Sequence, residues 1–121
     1  RFTYEQKGLQ KVMDLGEYWE SETKLPIPLG GIAISRTFSS EIQQKVQRVL
    51  KRSIEFAFKN PKSSEEYVCQ YAQEMSYDVM QKHIQLYVNE YSVSLGDEGR
   101  KAIVYLFERN NLSSENIFVE L

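Results

Sequence analysis

The sequence predicts an α-rich α/β chain, with two short strands and about five helices. Three observations predict it. From Ser39 onward, apolar residues recur at three- and four-residue steps, the period of amphipathic helices. Two short runs, Gly8–Leu15 ("GLQKVMDL") and Gly31–Ser35 ("GIAIS"), have the length of strands. Between them lies "LPIPLGG", where Pro26 and Pro28 stiffen the backbone and Gly30 and Gly31 loosen it. That pairing describes an extended, accurately placed crossing segment that delivers the second strand.

The elements follow in order. Leu9, Val12 and Leu15 are the residues the first strand offers for burial. "GEYWESET" starts a short helix, with acidic residues early, where the helix dipole favours them. After the crossing and the second strand, Ser39 or Ser40 caps a long helix, and Ser40 with Gln43 makes a capping box. Ile42, Val46, Val49, Leu50, Ile54 and Ala57 form its stripe, and Asn60–Pro61 ends it. Ser63 with Glu66 reads as a second capping box, ahead of a buried stripe of Tyr67, Val68, Tyr71 and Ala72. Ser76 caps the next helix, which carries Met80, His83, Ile84, Tyr87 and Tyr91 on one side. "SLGDEG" breaks the chain, and Asp97 caps a last helix with Ile103, Leu106 and Phe107 inward. The tail turns from polar to apolar and is expected to dock its last residues. Strands this few do not make an independent sheet, so their partners must come from elsewhere.

Composition narrows the function. The chain has 121 residues and a formal net charge of −2, which suits one domain or part of a larger one. Near-neutral charge argues against nucleic acid as a partner. The basic residues Lys45, Arg48, Lys51 and Arg52 read as the solvated face of a helix. No apolar run is long enough for a membrane span. The single cysteine, Cys69, excludes an intrachain disulfide and a cysteine-based zinc cluster, and a reducing cytoplasm is the simplest location. A chain that begins at Arg1 reads as a piece of something longer.

Residue chemistry alone marks no active site. His83 is the only histidine, so there is no histidine pair for a metal or a relay, and its apolar neighbours favour a packed core residue over a ligand contact. Cys69 reads as a structural thiol. Trp19 beside Tyr18 has the chemistry to stack on a ring substrate, although packing of a short helix is the commoner use. Carboxylate pairs at Glu65–Glu66 and Asp97–Glu98 stand at helix starts, where the helix dipole explains them without catalysis. No phosphate-binding glycine loop, zinc-protease or nucleophile-elbow motif occurs, no metal site is expected, and no cofactor is expected.

The order of motifs nevertheless resembles one family. "RFTY…GL", "VMDLGEYWESETKLPIPLGGIAISR", "SIEFAFKNP" and "YAQEMSYDVMQKHIQLYVNEYSVSLGDEGRKAI" are similar to the C-terminal part of the 1,4-dihydroxy-6-naphthoate synthases of the futalosine route to menaquinone. The resemblance covers the chain apart from its tail. It implies a two-lobed, periplasmic-binding-protein-like (type II) fold. Residues 1–30 would be the end of the second lobe and the return crossing, and residues 31–121 the C-terminal helical part of the first lobe. It implies a small-molecule substrate, cyclic dehypoxanthine futalosine, cleaved by a carbon–carbon lyase. Pro28, Leu29, Gly30 and Gly31 are the expected substrate-binding residues. The family's proposed catalytic base, a histidine in an "I-H-E" run, falls before the residues that match "RFTY". No catalytic residue is therefore expected within this chain, His83 included, and the isolated segment is expected to be inactive and open to self-association. A non-catalytic two-lobed solute-binding protein is the alternative reading, and a stand-alone helical interaction module a third.

Overall fold

The computed structural model describes residues 4–72 and 76–119. A 3-10 turn at Glu5–Lys7 is closed by Gly8, whose φ of 69° is open to glycine without strain. Six helices follow among the described residues: α1 (Leu15–Thr23), α2 (Ser40–Lys59), α3 (Glu65–Tyr71), α4 (Tyr77–Tyr87), α5 (Glu90–Val93) and α6 (Gly96–Arg109).

Local chemistry sets most of these boundaries. Asp14 caps α1, its Oδ1 accepting from the Gly16 N–H at 2.9 Å and the Glu17 N–H at 3.3 Å. Ser39 caps α2 by accepting from the Ile42 N–H at 3.4 Å. Gln43 does not serve a box with Ser40; its Nε2 donates back to the Phe38 carbonyl at 2.8 Å. The helix stops where Asn60 folds its own amide onto the Phe56 carbonyl, 2.9 Å away, and Pro61 follows. Asn89 makes a capping box with Ser92 and starts α5, a turn of helix the periodicity had merged with its neighbours. Ser63 and Asp97 are not caps: α3 begins after Ser64 and α6 after Leu95, with Asp97 inside the first turn.

The expected α/β class is corrected by this architecture. No strand and no sheet occur among the described residues; the segments 9–14 and 26–35 run as irregular chain. Neither the two strands nor the two-lobed periplasmic-binding-protein-like fold that the resemblance implies is found: the described residues are all-helical, without a sheet. The physical reason lies in pairing: a strand needs a neighbour to take its backbone N–H and C=O groups, and neither run finds one here. Leu9, Val12 and Leu15, expected to be buried, are 60%, 100% and 71% exposed.

Packing is correspondingly thin. Among the described residues only Met80, Gly99 and Ala102 are buried. The accessible surface is 10145 Å², against about 6,800 Å² for a compact chain of this mass. α5 packs on α2. Tyr67 and Tyr71, expected in a buried stripe, stack on each other at 4.8 Å while standing 67% and 66% exposed. The tail does dock: Phe118 is half-buried, with the Arg100 guanidinium 4.6 Å from its ring centroid. Arg1–Thr3 of "RFTY", Gln73–Met75 of "AQEM", and the last two residues of the tail lie outside the described residues.

Candidate functional site

The segment expected to bind substrate leaves α1 and runs to the turn before α2. Its first part is held and its last part is open. At the end of α1, Thr23 Oγ1 donates to the Trp19 carbonyl at 2.8 Å and accepts from the Leu25 N–H at 3.1 Å. Lys24 takes the left-handed conformation, φ 58°, and turns the chain back. The indole Nε1 of Trp19 then donates to the Pro26 carbonyl at 3.2 Å. The Trp19 ring meets Tyr105 of α6 edge to face, with centroids 5.7 Å apart and planes at 77°. Arg109 lies 5.7 Å from the centroid of that same tyrosine.

Beyond this anchor the segment opens. Pro26, Ile27 and Pro28 are half-buried, whereas Leu29, Gly30 and Gly31 are exposed. A Cβ placed on Gly30 or Gly31 would meet no atom within 4 Å, and neither glycine has a positive φ. The glycines are thus not demanded by the chain's own packing or by its backbone angles. They leave free space beside the backbone, into which a ligand or another polypeptide can come close.

The other singled-out residues separate clearly. His83 is on α4 and exposed, which corrects the expectation of a packed core histidine. Cys69 is an exposed free thiol on α3. Glu65, Glu66, Asp97 and Glu98 occupy the first turns of α3 and α6, as the dipole reading expects. Lys45, Arg48, Lys51 and Arg52 are exposed along α2. Lys11 and Glu17 form a surface ion pair at 3.1 Å, and that hydrogen bond holds the lysine above its ordinary range. Among the described residues no group of three metal-ligating side chains comes together. No described helix is long and apolar enough to cross a membrane. A hollow between α3 and α4, bordered by Val68, Cys69, Met80 and Ile84, has a volume of about 10 Å³, room for a single water at most.

The two groups that hold the base of this segment, Trp19 and Tyr105, were not assigned that part from the sequence. A tryptophan standing a turn before a helix end, with Pro-X-Pro immediately after, is the signal. An indole N–H needs an acceptor, and the first proline's carbonyl lies within its reach.

Residues 1–111 match the family described as Menaquinone biosynthesis. The 1,4-dihydroxy-6-naphthoate synthase of Streptomyces coelicolor is 42% identical over 109 residues, which is 90% of this chain and 39% of that protein. The enzyme of the same name from Thermus thermophilus is 38% identical over 107 residues, 88% of this chain and 39% of the relative. The chain thus spans 39% of the length of each of these curated relatives. With the match running through every helix and stopping only at the tail, the chain belongs to the menaquinone-biosynthesis family.

Proposed function

We propose that this chain is the part of a 1,4-dihydroxy-6-naphthoate synthase that lines its substrate site with Pro28, Leu29, Gly30 and Gly31. The observation that carries this reading is the identity of 42% and 38% to two enzymes of that name across about nine-tenths of the chain. The open backbone at Gly30 and Gly31, with nothing of the chain's own within 4 Å of an added Cβ, supports their role as a wall for a ligand. The substrate is cyclic dehypoxanthine futalosine, and the reaction is a lyase reaction. A base takes a proton from the substrate, and the electron pair released breaks a carbon–carbon bond and frees the dihydroxynaphthoate. Such a step needs an acceptor within hydrogen-bond reach of the proton and a site shielded from water.

The base belongs to the part of the enzyme before Arg1, and His83, exposed on α4, does not take its place. The reaction runs in the cytoplasm, where an exposed free thiol such as Cys69 stays reduced. The extensive exposed apolar surface, Val12 and Ile32 included, supports self-association of the chain when it stands alone. The test is a comparison of two proteins. One is this chain alone; the other is this chain joined to the portion of the Thermus thermophilus relative that the match leaves uncovered. Release of the naphthoate from the joined protein and not from the chain alone is the expected result. Turnover by the chain alone, or none by a folded joined protein, overturns the reading.

A further inference from the structure

We propose that Trp19 is the positioning residue of the substrate-lining segment, setting Leu29–Gly31 through its hold on Pro26 and its own seat against Tyr105. This rests on the reading that Pro28–Gly31 lines the substrate site.

The argument starts from what the segment lacks. Pro26 and Pro28 carry no N–H, so two of the three residues that begin the crossing have no backbone donor with which to tie themselves down. Their ring-fixed φ angles make the stretch stiff, but stiffness alone sets no position. Position requires a bond to something else, and Pro26 has one: its carbonyl accepts from the Trp19 indole at 3.2 Å. Trp19 is in turn placed by two contacts, one at its backbone and one at its ring. Thr23 clasps the end of α1, bridging the Trp19 carbonyl and the Leu25 N–H. Tyr105 of α6 meets the ring edge to face, and Arg109 reaches the same tyrosine. Tyr105 lies far along the chain from Trp19, so this contact ties the crossing to the last helix.

The exposure pattern matches such a device. Burial ends at Pro28, two residues past the anchored carbonyl, and Leu29, Gly30 and Gly31 project from it. A rigid base with a free tip turns a small tilt of the indole into a displacement of the tip. Trp19 touches no reacting atom in this scheme; it acts through Pro26.

Two measurements test it. Trp19 is the only tryptophan, so its indole proton gives one resonance. Tyr105→Leu is expected to speed exchange of that proton about fivefold, as its hydrogen bond loosens. Trp19→Phe keeps an aromatic ring but removes the donor, and is expected to lower the amide order parameters of Leu29–Gly31 from about 0.85 towards 0.6 while those of α2 stay unchanged. If Trp19→Phe does not fold, benzothienylalanine at position 19, which replaces only the N–H, decides the same question. Order parameters unchanged at Leu29–Gly31 overturn the proposal. In the protein joined to the Thermus thermophilus portion, Trp19→Phe is expected to raise KM about fivefold and leave kcat nearly unchanged, the mark of binding lost equally in the ground and transition states. Mobility that rises with KM unmoved would keep Trp19 as the anchor and remove the substrate-lining reading of Pro28–Gly31, so the two fail separately.

Discussion

Gly99 of α6 lies against Tyr91 of α5 so closely that a Cβ on the glycine would stand 3.2 Å from Cδ1 of the ring and 3.3 Å from the Leu95 Cβ. Gly99 is one of the few buried positions among the described residues, and the closeness of its neighbours lets α6 start immediately beside α5. A helix interior ordinarily disfavours glycine, so what is gained here is approach.

Gly99→Leu is therefore expected to destabilise the chain by about 1–3 kcal/mol through overpacking. The measurement is urea unfolding followed by circular dichroism. A leucine variant as stable as the parent would show that Tyr91 swings aside freely and that the α5–α6 junction is loose.

Arg100 sits one residue on and faces another way, over the ring of Phe118. This contact docks a tail that lies beyond the family match, which stops at residue 111. Arg100→Met keeps much of the stem and removes the charge; a loss of about 0.5–1 kcal/mol is expected for a cation–π pair at a partly exposed site. Limited proteolysis reads it directly, since cleavage between residues 112 and 119 should quicken without change in cleavage elsewhere.

How much of this was legible in advance varies with the physics behind each feature. α2 was legible nearly to the residue, because its stop signals are local: a serine at its start, and Asn60–Pro61 at its end. The family was legible too, in the "DLGEYWE" and "LPIPLGG" stretches. Strands at Gly8–Leu15 and Gly31–Ser35 were not a local matter, since a strand exists only with a mate, and composition says nothing about whether one is present. Burial failed for a related reason. Tyr67, Tyr71 and His83 fall on helical stripes, but a stripe is buried only where another element covers it. The Trp19–Pro26 bond was out of reach of periodicity altogether, because it spans a helix end and a reversal at Lys24.

Exposure makes His83→Ala a mild change. A loss of about 1 kcal/mol or less is expected, within the range of surface side chains and their pairs. Thermal unfolding of the variant checks it, and in the joined protein kcat should stay within about threefold, a barrier change under 1 kcal/mol. A drop of a thousandfold in kcat with the fold intact would make His83 part of the site after all.

The crossing segment permits the most discriminating pair of variants. Gly30 has open space where a side chain would go and no positive φ, so Gly30→Val meets no clash in this chain and is expected to leave its thermal midpoint within about 2 °C of the parent. The same valine fills the space assigned to substrate. In the protein joined to the Thermus thermophilus portion it should raise KM about tenfold, equivalent to about 1.4 kcal/mol of lost binding. Pro28→Ala is expected to show the reverse pattern: about 0.5–1 kcal/mol of stability lost as the unfolded chain gains freedom, with KM changed little. Unfolding and steady-state kinetics on the same two variants separate a wall from a connector. A valine at position 30 that leaves KM unmoved would mean that the space beside Gly30 is only solvent, since no bound molecule occupying it could tolerate a branched side chain there.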